Sequence, residues 1–78
     1  MVNNLYLIKD LAVHSGYSIY TLKFYLKLRL IKEVSRSPAT NFRYFNNGTL
    51  GTLKRIHSLR LEKKSLAEIK RILKVKEG

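Results

Sequence analysis

Residues 14–31 read HSGYSIYTLKFYLKLRLI, and they decide the fold. Ser15 and Gly16 break one helical pattern, because glycine accepts the left-handed conformation that follows a helix end. Ser18 opens the next helix, its hydroxyl free to cap a backbone N–H. Ile19, Leu22, Tyr25 and Leu26 then recur on one side at helical spacing. Upstream, Ile8, Leu11 and Ala12 carry the same period. Two helices separated by about three residues, with glycine in the turn, form a helix-turn-helix over about 8–29.

Outward from this unit the chain keeps a simple order. Residues 5–8, LYLI, read as a brief strand leading into the first helix. Residues 32–45, KEVSRSPATNFRYF, change character: Val34, Phe42, Tyr44 and Phe45 favour strands, and SRSPATN between them is turn-like. They predict a hairpin with a basic tip. Asn46 can cap a third helix over about 47–63, with Leu50, Leu53, Ile56 and Leu59 facing inward. Ser65 and Glu68 form a capping box that opens a fourth over about 66–74. Leu66, Ile69, Ile72 and Leu73 line its inner side, and KVKEG is expected to fray. The whole chain, 1–78, reads as one domain: mainly α with a small β hairpin.

Charge bounds the function. Sixteen Lys and Arg oppose five Asp and Glu, a formal net charge of +11 in a basic protein of 78 residues. Such self-repulsion calls for a polyanion. Nucleic acid suits it better than an anionic membrane or an acidic protein. There is no cysteine, so neither a disulfide framework nor a thiolate metal site is available. His14 and His57 have no ligand partners at metal spacing. No nucleophile elbow, phosphate-cradling glycine loop or carboxylate pair occurs. We therefore expect no enzyme, no cofactor and no metal. No apolar run is long enough to cross a bilayer, and MVNNLYLIKD lacks a signal peptide's apolar region, so a cytoplasmic location is expected.

In a helix-turn-helix the second helix enters the major groove, with its N-terminal residues at base edges. Here those are Ser18, Tyr20, Thr21 and Phe24. The side away from Ile19, Leu22 and Leu26 presents Tyr20, Thr21, Lys23, Phe24 and Lys27. Hydroxyls and ammoniums suit phosphates and groove edges, and an aromatic ring suits thymine methyls or sugars. The plainer reading is that Tyr20 and Phe24 complete the core. Tyr25 divides the two: its ring suits the core while its hydroxyl could reach a phosphate. Arg36 and Arg43 flank the hairpin tip, where arginines can track phosphate or enter a minor groove. Arg55 joins them, near the first turns of its helix and beside the hairpin. The other helical cations suit solvated outer faces.

The stretch IKDLAVHSGYSIYTLKFYLKLRLI resembles the opening of the MerR family of transcription regulators, I-G-E-L-A-x-x-x-G-V-S-x-x-T-[LI]-R-Y-Y-E-x-x-G-L-[LI]. Ile8, Leu11, Ala12, Gly16, Ser18, Thr21, Leu22 and Tyr25 match. Lys23 stands at the family's arginine and Phe24 at its first tyrosine. NFRYF resembles the wing signature G-Y-R-x-Y, and LKRIHSLRLEKKSLAEIKRIL is similar to the closing helix pair.

The resemblance implies a winged helix-turn-helix. It further implies sequence-specific double-stranded DNA binding, with Tyr20, Thr21, Lys23 and Tyr25 on the helix and Arg43 in the wing. Pairing as a homodimer or head-to-tail oligomer and an encounter with RNA polymerase at a promoter are implied too. The chain departs from the pattern at Leu26, which replaces an acid. Asn41 replaces the wing glycine, Phe42 lacks the wing tyrosine's hydroxyl, and Lys63 and Lys64 replace a Gly-aromatic pair. The family's usual dimerising helix and effector region lie beyond this sequence, whether it is a truncated chain or a minimal protein. An excisionase-like DNA-bending factor shares this chemistry. An RNA- or ribosome-binding module would instead need aromatic platforms for unstacked bases.

Overall fold

The computed structural model describes residues 5–77, with side chains to residue 74. Four helices and one hairpin follow in the order α1 (Ile8–Ser15), α2 (Ile19–Lys27), β1 (Ser35–Arg36), β2 (Arg43–Tyr44), α3 (Asn47–Leu61) and α4 (Leu66–Glu77).

Local chemistry sets most boundaries. Asp10 reaches back to accept the Leu7 N–H at 3.2 Å, tying the first turn of α1. Gly16 ends α1 at φ 82°, its N–H donating to the Ala12 carbonyl. Asn46 and Thr49 cap α3 reciprocally: the Thr49 N–H donates to Asn46 Oδ1, and the Asn46 N–H to Thr49 Oγ1. Ser65 and Glu68 do the same for α4, at 3.0 and 3.1 Å. Each such box satisfies donors that the first helical turn would otherwise leave free.

The core gathers one stripe from every helix. Leu11 from α1, Leu22 and Tyr25 from α2, Leu53, Ile56 and Leu59 from α3, and Ile69 from α4 are buried. Leu30, Ile31 and Phe45 complete it from the connecting segments. The hairpin is anchored at its base, because Tyr6 and Phe45 exchange both backbone hydrogen bonds, at 2.7 and 2.8 Å. That single bridge is what the brief strand expected at 5–8 amounts to, since Ile8 is already helical. β1 and β2 pair antiparallel with Ser35 opposite Tyr44 and Arg36 opposite Arg43.

Several expectations need correction. The strands hold only two residues each, so Val34 and Phe42 lie outside them. α3 ends at Leu61 rather than about 63, because Lys63 takes φ 66° and turns the chain out of the helix. α4 continues past 74 to Glu77, since no glycine or proline intervenes to stop it. Ile19, expected inward, is 40% exposed. At ~100° per residue it lies about 90° from the centre of the Leu22–Tyr25 stripe, on its margin. Leu50, Leu66, Ile72 and Leu73 pack against the core but are only partly buried. Met1–Asn4 and Gly78 of the expected domain fall outside the described residues.

Candidate nucleic-acid interface

Helix α2 is held from both ends of its inner stripe. Leu22 is fully buried and Tyr25 is 6% exposed, with the Tyr25 ring set edge-on to Tyr17 at 5.5 Å. Burial, and then neighbouring Tyr25, pushes the Tyr17 phenol up to about 12. With 22 and 25 inward, helical geometry turns Tyr20 and Lys27 directly outward and sets Lys23 and Phe24 on either flank. The exposures agree: Tyr20 is 82% exposed, Phe24 43%, and Lys23 and Lys27 are exposed. Tyr20 therefore does not complete the core. Phe24 is divided: its ring centre lies 6.3 Å from that of Tyr25, and the residue stays partly open to solvent. The Tyr25 ring belongs with the core, as expected.

The start of α2 is polar and ordered. Ser18 Oγ accepts the Thr21 N–H at 3.1 Å and donates to Thr21 Oγ1 at 2.9 Å. Ser18 thus spends its proton on Thr21, and the Thr21 hydroxyl keeps its own for an outside acceptor. A cap and a donor are built from the same pair.

The hairpin holds its cations differently. Arg36 and Arg43 are cross-strand partners, and like charges directly opposite destabilise a ladder. Glu33 lies between them. Its Oε2 pairs with Arg36 Nη2 at 3.1 Å and its Oε1 with Arg43 Nε at 3.7 Å. Its own backbone N–H and then the two guanidiniums hold the carboxyl below the usual range. Arg36 Nη1 also donates to Asn41 Oδ1 at 3.4 Å. Sequence reading passed over Glu33. The signal was present: between Asp10 and Glu62 it is the only carboxylate, set against nine lysines and arginines.

Arg55 is exposed and lines an open groove between α3, α4 and the segment 29–34. Arg29, Lys32, Lys70 and Lys74 share that groove, over Leu30, Ile31, Val34 and Leu73. No carboxylate lines it among the described residues. Arg29, Lys32, Lys70 and Lys74 were not singled out from sequence. No group of three or more His, Cys, Asp or Glu able to hold a metal occurs among the described residues, and none of their helices is long and apolar enough to cross a membrane.

The sequence pattern of the MerR helix-turn-helix family of regulatory proteins matches residues 6–76. This chain belongs to that family. Two solved structures are similar to it. One is a MerR family transcriptional regulator from Bacillus cereus, with a TM-score of 0.82 and 26% identity, over 90% of this chain and 52% of that one. The other is HiNmlR, a MerR family regulator lacking the sensor domain, bound to promoter DNA. It has a TM-score of 0.82 and 32% identity, over 94% of this chain and 55% of its own. The chain thus spans about half the length of these relatives. Among curated proteins no match is found.

The likeness makes the two-helix unit, hairpin and closing pair a winged helix-turn-helix. It also explains three backbone features. Arg29, Asn41 and Lys63 have φ of 63°, 63° and 66°, the described non-glycine residues on the left-handed side. Each stands where the family's pattern carries glycine. The fold keeps the turn and this chain accepts the steric cost, which asparagine tolerates better than arginine or lysine. Leu26, at the family's acidic position, packs partly buried against the core instead.

Proposed function

We propose that this chain binds double-stranded DNA with sequence preference, as the DNA-reading portion of a transcription regulator. The observation that carries the reading is the outward side of α2. Tyr20, Lys23, Phe24 and Lys27 form a polar, cationic and aromatic face on the second helix of a helix-turn-helix, with Ser18 and the half-buried Thr21 at its start. The fold matches that of HiNmlR, which was solved on promoter DNA. The net charge of +11 supplies the sequence-independent attraction.

In this reading Tyr20 and Thr21 meet base edges, and Phe24 lies against sugar or a thymine methyl. Lys23 and Lys27 neutralise phosphate beside the groove. Arg36 and Arg43 hold the backbone through the wing, and Arg55 adds a phosphate contact from α3. One reading helix covers few base pairs, so specificity calls for paired copies, two-fold or head-to-tail, on neighbouring half-sites. An encounter with RNA polymerase at a promoter, and a place in the cytoplasm with the chromosome, belong to the same proposal.

Selection of bound sites from random duplexes, followed by salt titration, tests it. An enriched motif is expected, with affinity falling steeply as salt rises. Lys23→Ala and Arg43→Ala should weaken all sequences alike. No enrichment and no duplex affinity at low salt would refute the reading.

A further inference from the structure

We propose that Glu33 sets how much of the wing's charge reaches DNA, acting as a built-in carboxylate that the duplex phosphate must displace from Arg36 and Arg43. The inference rests on the DNA-binding reading and deepens it.

The geometry is that of one carboxylate shared between two guanidiniums, one oxygen to each, across the two strands of the hairpin. A DNA phosphate offers the same arrangement: two oxygens, one negative charge, within reach of both forks. Glu33 and phosphate therefore compete for the same donors. In the free protein the carboxylate relieves the repulsion between Arg36 and Arg43 and keeps their side chains gathered on one side of the hairpin. On DNA it must give way at one or both, and it then stands as an anion beside the backbone. The three side chains are only partly sheltered, with exposures of 41% for Arg36, 51% for Arg43 and 29% for Glu33. Exchange is therefore open but carries a modest cost, as expected for ion pairs near water.

The consequence is a wing that grips weakly by charge alone. A duplex held only by backbone contacts gains less from the hairpin than its two arginines would supply. A duplex whose bases also satisfy α2 gains enough to displace the carboxylate. Glu33 is thus a specificity-determining residue that never touches a base.

The test compares wild type with Glu33→Gln on a selected site and on an unrelated duplex, across a salt series. Glutamine keeps the side-chain length and removes the charge. It should bind the unrelated duplex about three- to tenfold tighter at low salt. The logarithmic salt slope should steepen by about one released counterion, and the ratio between selected and unrelated duplexes should shrink. The same substitution in an Arg36→Gln/Arg43→Gln background should gain nothing. Unchanged or weaker binding by Glu33→Gln would overturn the proposal and make the residue a positioning clamp. A gain that persists without the two arginines would overturn it too, as an effect of overall charge. If wild type itself fails to bind duplex at low salt, the DNA-binding reading falls first and takes this inference with it; if wild type binds, the outcome bears on Glu33 alone.

Discussion

Helix α2 and the hairpin hold their outward residues by different means. On α2, burial fixes the face: Leu22 and Tyr25 are locked in the core, and the helix period then dictates that Tyr20 points away. In the hairpin, two residue pairs make the ladder, and the arginines are held by a carboxylate at 3.1 and 3.7 Å. The first arrangement is stiff and suits base edges, where a small displacement costs discrimination. The second is held by charge near water and, in the proposed function, exchanges its carboxylate for phosphate. The proposed reading element rests on packing, and the proposed gripping element on ions.

The sharpest way to break the comparison is at the inner stripe. Leu22→Ala should cost about 2–5 kcal/mol, enough to unfold much of so small a domain, as read from urea denaturation. Tyr20→Ala on the opposite face should leave the unfolding curve in place, within about 0.5 kcal/mol. It should still lower discrimination between selected and altered sites by about 1–3 kcal/mol per contacted base pair. Ser18→Ala tests the cap and should cost about 1 kcal/mol of stability while also freeing the Thr21 hydroxyl from its partner.

A pH titration sharpens the packing side. The Tyr17 phenol is raised to about 12, so the folded protein keeps a proton that the unfolded chain releases from about pH 10 upward. Tyr17's contribution to stability should therefore be constant below about pH 10 and fall between there and about pH 12, and Tyr17→Phe should reduce that fall. The smallest effect belongs to the hairpin: Arg43→Gln should shift stability by less than about 0.5 kcal/mol, because an ion pair this exposed contributes little. Its weight should appear in DNA affinity instead.

The same contrast explains what the sequence made legible. Gly16, Ser18, Asn46 and the Ser65–Glu68 box act within a few residues of themselves, so their chemistry could be read directly. The outward side of α2 followed from helical spacing, as the side away from Ile19, Leu22 and Leu26. Ile19 failed because an apolar residue at a stripe's margin is settled by how neighbouring elements close over it, not by spacing. The hairpin's register could not be read for a related reason: the Tyr6–Phe45 bridge, between residues distant in sequence, anchors its base. Glu33 went unnoticed because its bond to Arg43 exists only once that register is known. The left-handed turn at Arg29 was hidden behind a residue that ordinarily avoids it.

The central claim is that α2's outward face and the arginine-bearing hairpin meet one duplex together. Amide chemical-shift mapping of the isotope-labelled chain, titrated with duplex DNA carrying its selected site, tests this most directly. The largest changes should fall at residues 18–27 and 35–44, rising in parallel along one binding curve, with the Tyr17–Tyr25 core contact undisturbed. Changes confined to one of these segments, or centred on the groove side of α4 while Tyr20, Thr21 and Lys23 stay still, would contradict it.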